Sequence, residues 1–251
     1  MSAVSAAAPP PQPEAASPAA PRITGISSMA TRALLAELAA GYTRQTGVEV
    51  AIEAVGGVDA ARRVAAGEAF DLVILAAEAI ERLLAGGHLA VGSRVDLVCS
   101  PVAVAVPAGA ARPDIGSEAA LREAVLAAPS LALSTGPSGD FLARLFERWG
   151  IAGQIGPRLV HVPPGVPVGS LVAGGQAALG FQQLSELLPL PGVDVLGTLP
   201  PEVACITTFA AALPARPAVP PNQAQAVRAL LAFMNSAAAV EVKRRHGMTP
   251  A

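Results

Sequence analysis

Four short stretches of small residues carry the chemistry open to this chain. They are Ser27-Ser28-Met29-Ala30, Gly56-Gly57-Val58-Asp59, Ser134-Thr135-Gly136-Pro137-Ser138-Gly139 and Pro164-Gly165-Val166-Pro167. Each follows a strand pattern and opens a helical one. A helix N-terminus presents unpaired N–H groups and a partial positive charge. Small residues let a ligand approach that backbone, and Ser or Thr adds hydroxyl donors. Facing one cleft, such junctions would bind a small anion without a salt bridge. The binding groups would be Ser27, Ser28, the Gly57 and Val58 amides, Thr135, Ser138 and Gly139. Taken singly, Ser28, Asp59 and Ser138 read as ordinary N-caps. Four junctions together reverse that preference.

Charged and polar residues near these junctions narrow the ligand. Arg32 falls in the first turn of a predicted helix, where a cation opposes the macrodipole at a cost of ~0.3–1 kcal/mol. It reads either as a solvated arginine or as a carboxylate clamp, which the guanidinium fork suits. Asp59 and Asp140 lie beside two of the loops, as N-caps or as cleft residues. In a cleft they would repel a bare dianion and accept hydrogen bonds from a hydroxylated or protonated ligand. Gln183 offers both a donor and an acceptor. If the chain is an enzyme, Asp59, Asp140 and His161 are its proton-transfer candidates, although His161 also reads as structural. His88 and His246 read as surface residues. There is no P-loop, no GxGxxG and no nucleophile elbow, and the two cysteines and three histidines lack metal-ligand spacing. No metal or cofactor is expected.

The elements that must position these residues follow from patterning. Of 251 residues, 52 % are hydrophobic and 14 % charged, which excludes wholesale disorder. No apolar run reaches the ~18 residues of a membrane span, so no membrane insertion is expected. Seventeen basic and nineteen acidic residues, with eight aromatics, leave too little charge or stacking surface for nucleic acid. Strand patterns at Ile23–Ile26, Val48–Ala54, Asp71–Leu75, Leu131–Ser134, Leu159–Val162, Ala178–Phe181 and Val193–Leu196 alternate with helical ones. Alternation of this kind predicts parallel sheets covered by helices. Two long extended segments, Val95–Val106 and Val203–Leu213, divide the pattern. They predict two α/β lobes, residues 22–100 plus 205–251 and residues 101–204, with the chain crossing twice between them. Ligands of such sheets sit beyond the strand ends, so facing lobes make a cleft. Cys99 and Cys205 fall one on each crossover. They are expected as buried free thiols, with a hinge disulfide as the alternative.

Residues 1–21 read as a disordered Ala/Pro-rich tail. They lack the basic and apolar regions of a secretory leader. The sequence as it stands is expected in the cytoplasm, or in the periplasm if a leader has been lost or removed.

From Ile23 to its end the chain resembles type II solute-binding proteins, the periplasmic molybdate-binding proteins and their relatives. The resemblance lies in ITGISSMATRALLAELAAGYTRQTGVEV, GGVDAARRVAAGEAFDLVIL, STGPSGDFLARLFERWGI, LVAGGQAALGFQQLSELLPLPGVDVLGTLP and VKRRHGMTP. It implies a two-lobe type II periplasmic-binding-protein fold with a central cleft and two hinge crossovers. It also implies a monomeric binder that captures a small anion, an oxyanion or small carboxylate, for the permease of an ABC transporter. By position, the family's ligand contacts fall near Ala30, Gly57 or Val58, Ser138, Gly165 or Val166, and Gln183. The molybdate pattern is altered here. A loop serine aligns with Ala30, the second loop is Gly56-Gly57-Val58, and the capping tyrosine is Gln183. These departures resemble a divergent branch that includes aconitate isomerases. The alternatives to a binder are therefore an enzyme moving a proton on a tricarboxylate, or a cytoplasmic ligand sensor using the same cleft.

Overall fold

A computed structural model describes residues 22–160, 162, 166–215 and 221–251. The tail, His161 and Pro163-Pro164-Gly165 lie outside the described residues.

Strand β1 (Arg22–Ser28) runs through one 3-10 turn, Met29–Thr31, into α1 (Arg32–Thr46). Then come β2 (Glu49–Val55), α2 (Gly57–Ala65), β3 (Leu72–Ala76), α3 (Ala77–Ala85) and the long β4 (Val95–Pro107). The middle of the chain forms α4 (Glu118–Ala127), β5 (Leu131–Leu133), α5 (Pro137–Arg148), α6 (Ala152–Ile155), α7 (Val168–Ala173), β6 (Leu179–Gln183), α8 (Leu184–Leu187) and β7 (Val193–Thr198). The return consists of β8 (Ile206–Ala212), α9 (Pro221–Met234), α10 (Ala237–Arg245) and a short β9 (Thr249–Pro250).

The strands follow the order β2-β1-β3-β8-β4-β6-β5, with β7 and β9 also on β4. Strand β4 belongs to both lobes. Its first half, to Pro101, pairs with β8, and its second half, from Val102, pairs with β6 and β7. Just past this switch the returning chain passes alongside, with Leu199 N–H donating to the Val102 carbonyl at 3.1 Å and Val102 N–H to the Cys205 carbonyl at 2.8 Å. The fold is thus a two-lobe α/β structure with two crossovers. The sheets are mixed rather than parallel: β8 runs antiparallel to β3 and β4, and β6 and β7 run antiparallel to β4. The reason is topological, because the outgoing and returning crossovers traverse the hinge in opposite directions.

Each sheet is covered on both faces. Along β3, Leu72 and Ile74 pack against α1 and α9 residues such as Leu38 and Leu230, while Val73 and Leu75 pack against Ala60 and Ile80. That is the near-continuous apolar run of a strand buried on two sides. Each fully buried Leu or Ile adds about 1.5–3 kcal/mol. In the second lobe, Val102, Val104 and Val106 face Leu142, Phe146 and Phe181, while Ala103 and Ala105 face Leu187.

Local starts differ from the predicted ones in three places. Helix α2 begins at Gly57 with Gly56 as its N-cap, so Asp59 lies inside the first turn and pairs with Arg62 at 3.0 Å. Helix α5 begins at Pro137 with Gly136 as N-cap at φ 96°, so neither Ser138 nor Asp140 caps it. The predicted strand at Leu159–Val162 reduces to one bridge between Leu159 and Leu131. His246, expected on the surface, is partly buried and shares the Glu37 carboxylate with Arg245. Cys99 and Cys205 are free and partly buried, and burial pushes the Cys205 thiol up. No described helix is long and apolar enough to cross a membrane.

Candidate functional site

A cavity of about 610 Å³ lies between the lobes. The N-terminal lobe contributes Ser28, Met29 and Ala30 from the end of β1, Gly56 to Asp59 from the start of α2, and Arg82 from α3. The other lobe contributes Ser134 to Ser138, Val166, Gln182, Gln183 and Glu186, and β8 adds Thr207 and Phe209 at the hinge. A shallower hollow of about 480 Å³ beside Thr24, Gly25 and Phe70 has one charged side chain, Glu53, already paired with Arg63. The interlobe cavity is therefore the candidate site.

Of the residues singled out from sequence, Ser28, Met29, Ala30, Gly57, Val58, Thr135, Ser138, Val166 and Gln183 meet at this cavity, as does Asp59. Ser27, Arg32, Gly139 and Asp140 do not line it. Neighbouring strand residues point to opposite faces, so Ser27 turns away and its hydroxyl donates to the Glu53 carbonyl at 3.4 Å. Arg32 is carried past the cavity by the 3-10 turn and opens α1 exposed to solvent. Asp140 is also exposed. Gly139 acts beneath the surface of the site. A Cβ there would lie 1.8 Å from the Ser134 carbonyl oxygen, so only glycine lets that loop fold back on α5. His161 and Gly165 are outside the described residues.

The lining is polar where backbone turns and strands end. Ser134 Oγ and Ser138 Oγ are 2.8 Å apart. Gln183 Nε2 donates to Thr207 Oγ1 at 2.8 Å, tying the second lobe to the returning strand. Ser185 Oγ donates to the Ala30 carbonyl at 2.8 Å, so α8 touches both lobes. Two buried oxygens at the wall have no partner, Ser28 Oγ and Gln183 Oε1. Left so, each costs roughly 1–3 kcal/mol of lost hydration.

Sequence reasoning missed the two most informative charges. Arg82 is the cation that lines the cavity, from the last turn of α3. Glu186, on α8, lines it from the other lobe. Burial pushes the Glu186 carboxyl up to about 7, opposed in part by a hydrogen bond from Gln182. Asp59 differs: its carboxylate is paired with Arg62 and 47 % exposed. No single position in the sequence marks Arg82 or Glu186, since both sit in ordinary helical patterns and acquire their setting only when the lobes meet.

This architecture, two α/β lobes flanking a cavity at strand and helix ends, is that of the type II binding-protein class. The chain belongs to the bacterial extracellular solute-binding protein family, whose profile matches residues 23–249. It is 36 % identical over 234 residues to an aconitate isomerase from a Pseudomonas species, covering 91 % of this chain and 87 % of that one. Its fold matches the periplasmic molybdate-binding protein of Azotobacter vinelandii with a TM-score of 0.73 at 19 % identity, covering 90 % and 98 % of the two chains. It matches a sulfate-binding protein of Mycobacterium tuberculosis with a TM-score of 0.72 at 17 % identity, covering 92 % and 87 %.

Proposed function

We propose that the interlobe cleft captures a small organic polycarboxylate. The observation that carries this reading is Arg82, the cation in the wall of a cavity of about 610 Å³. A planar guanidinium fork matches the two oxygens of a carboxylate through parallel hydrogen bonds. The cavity volume falls in the range of organic ligand sites, roughly 300–1,000 Å³. Arg82 supplies the opposite charge, and the α2 and α5 N-termini supply amide donors. The aconitate isomerase relative makes a tricarboxylate the first choice of ligand. In this reading closure over the ligand presents a surface to the permease of an ABC transporter.

A second reading is an isomerase that moves a proton on such a polycarboxylate. Glu186, an acid in the cleft wall that titrates near neutrality, is the observation that favours it. The first test is a thermal-shift screen with cis- and trans-aconitate, citrate, molybdate, tungstate and sulfate. A ligand at ~100 times its Kd adds about 2.7 kcal/mol to stability. A shift with the tricarboxylates is expected. A shift with the inorganic oxyanions alone overturns the polycarboxylate reading.

A further inference from the structure

We propose that Glu186 is the proton-exchanging group of the cleft, carrying a proton between the two ends of a three-carbon allylic unit in a bound polycarboxylate. The proposal rests on the reading of the cavity as a polycarboxylate site.

The geometry holds one carboxylate oxygen and leaves the other free. The Gly169 N–H donates to Gln182 Oε1 at 2.8 Å, which fixes the orientation of that amide. Gln182 Nε2 then donates to Glu186 Oε1 at 2.9 Å. Among the described residues Oε2 makes no hydrogen bond, and Glu186 borders the cavity. Other acids are less suited to the task. Asp59 is paired with Arg62 and Asp140 is exposed outside the cavity.

The surroundings keep Glu186 electrically isolated. Helix α8 packs against β4, β6, β7 and the Met29–Thr31 turn. The turn and β6 carry no charge. Asp96 of β4 bonds to Arg94, and Asp194 of β7 pairs with Arg112. The turn after α10 brings Gly247 against Leu184 and Leu188, and its neighbour His246 is bonded to Glu37. Across the cavity stand Arg82 and Asp59. Burial therefore dominates the titration of Glu186, which is pushed up to about 7. A base whose proton affinity matches the working pH is the most effective at abstracting and returning a proton.

The step balances without an oxidant or reductant. Ionised Glu186 takes a proton from the methylene carbon that lies α to one carboxylate and next to the double bond. The C–H electron pair becomes the new C=C, and the former double-bond pair moves to the far carbon. The resulting anion is spread over the carboxylates, where Arg82 and the helix N-termini face it. Glu186 then returns its proton to the far carbon. One C–H bond breaks, one forms, and the double bond has moved by one position.

The test incubates the full chain with cis-aconitate in D2O, following methylene deuteration and trans-aconitate by proton NMR. Calorimetry measures binding in parallel. Wild type is expected to exchange and isomerise, with a rate that rises with pH through about 7. Glu186→Gln is expected to lose at least ~100-fold in exchange rate while still binding the ligand. Glu147→Gln, an exposed acid of α5 outside the cavity, is expected to match wild type. Tight binding by wild type with neither exchange nor isomerisation overturns the proposal and leaves the polycarboxylate reading standing. So does an unimpaired Glu186→Gln variant, or a flat rate profile from pH 5.5 to 8.5. Absence of binding to either aconitate overturns both.

Discussion

Gln182 stands between Gly169 and Glu186, accepting from the backbone of one and donating to the carboxylate of the other at 2.8 and 2.9 Å. The amide is held on both sides, so it sets where the acid points. It also stabilises the ionised form of Glu186, against the burial that disfavours it. Gln182→Met keeps the bulk and removes both bonds. The Glu186 titration is then expected to move further up, read by carbon NMR of the labelled carboxyl. The stranded Gly169 N–H is expected to cost about 1–3 kcal/mol in urea unfolding. An unmoved titration midpoint would show that the hydrogen bond does not reach the ionised state.

Glu186 makes folding depend on pH in a direction opposite to that of most carboxylates. Its folded value, about 7, lies above the ordinary 4.5, so between these values the folded chain holds a proton that the unfolded chain has lost. The contribution of Glu186 is therefore fully present below about 4.5 and lost as pH rises through about 7. Glu186→Gln removes this dependence. At pH 8 the variant is expected to be more stable than wild type by about 1–3 kcal/mol, with the difference vanishing near pH 4.5. Glu37, Glu53 and Glu118 are shifted the other way by their Arg, His and Trp partners. Those effects are common to both proteins and cancel in the comparison. A constant difference between pH 4.5 and 8 would show that Glu186 is ionised in the fold throughout.

Gly139 supports the site without lining it. The Cβ of Gly139→Ala would lie 1.8 Å from the Ser134 carbonyl oxygen, a backbone atom that moves only if the loop moves. The Ser134–Ser138 hydroxyl pair would go with it. The variant is expected to lose about 1–3 kcal/mol of stability and to bind the polycarboxylate at least ~10-fold more weakly by calorimetry, about 1.4 kcal/mol. Full affinity in this variant would mean that the Ser134–Gly139 loop contributes little to binding.

How far the sequence reveals this site depends on how local each signal is. The register of α1 follows from Leu34, Leu35, Leu38 and Tyr42, and its end from Gly47 in the left-handed conformation at φ 73°. The small residues at the strand-to-helix junctions likewise reveal most of the backbone lining. Side-chain direction is a different matter. The 3-10 turn at Met29–Thr31 takes Arg32 out of reach, and no residue type announces that turn in advance. The start of α2 three residues earlier draws Asp59 into a pair with Arg62. Glu186 reads as a surface acid of a short helix. Its raised proton affinity comes from burial against β4, β6 and β7, of which β4 is distant in sequence. Only closure of the two lobes makes a site of Arg82 and Glu186.

Arg82 and Arg32 separate the site as folded from the site as read in sequence. Arg82 lines the cavity, whereas Arg32 is exposed at the start of α1. A charge-assisted bond from arginine to a carboxylate is worth about 1.5–3 kcal/mol, and its planar fork suits two oxygens at once. Arg82→Gln is therefore expected to weaken polycarboxylate binding roughly 10- to 100-fold by calorimetry, at ~1.4 kcal/mol per tenfold. Because Arg82 is solvent-exposed along one side of the cavity, added salt should weaken wild-type binding more than that of the variant. Arg82→Lys should recover only part of the loss, since an ammonium is a point charge without the fork. Arg32→Gln should leave affinity within ~2-fold, about 0.4 kcal/mol. The reverse result, with Arg32→Gln costly and Arg82→Gln silent, would require α1 to turn its first residue into the cleft when ligand binds.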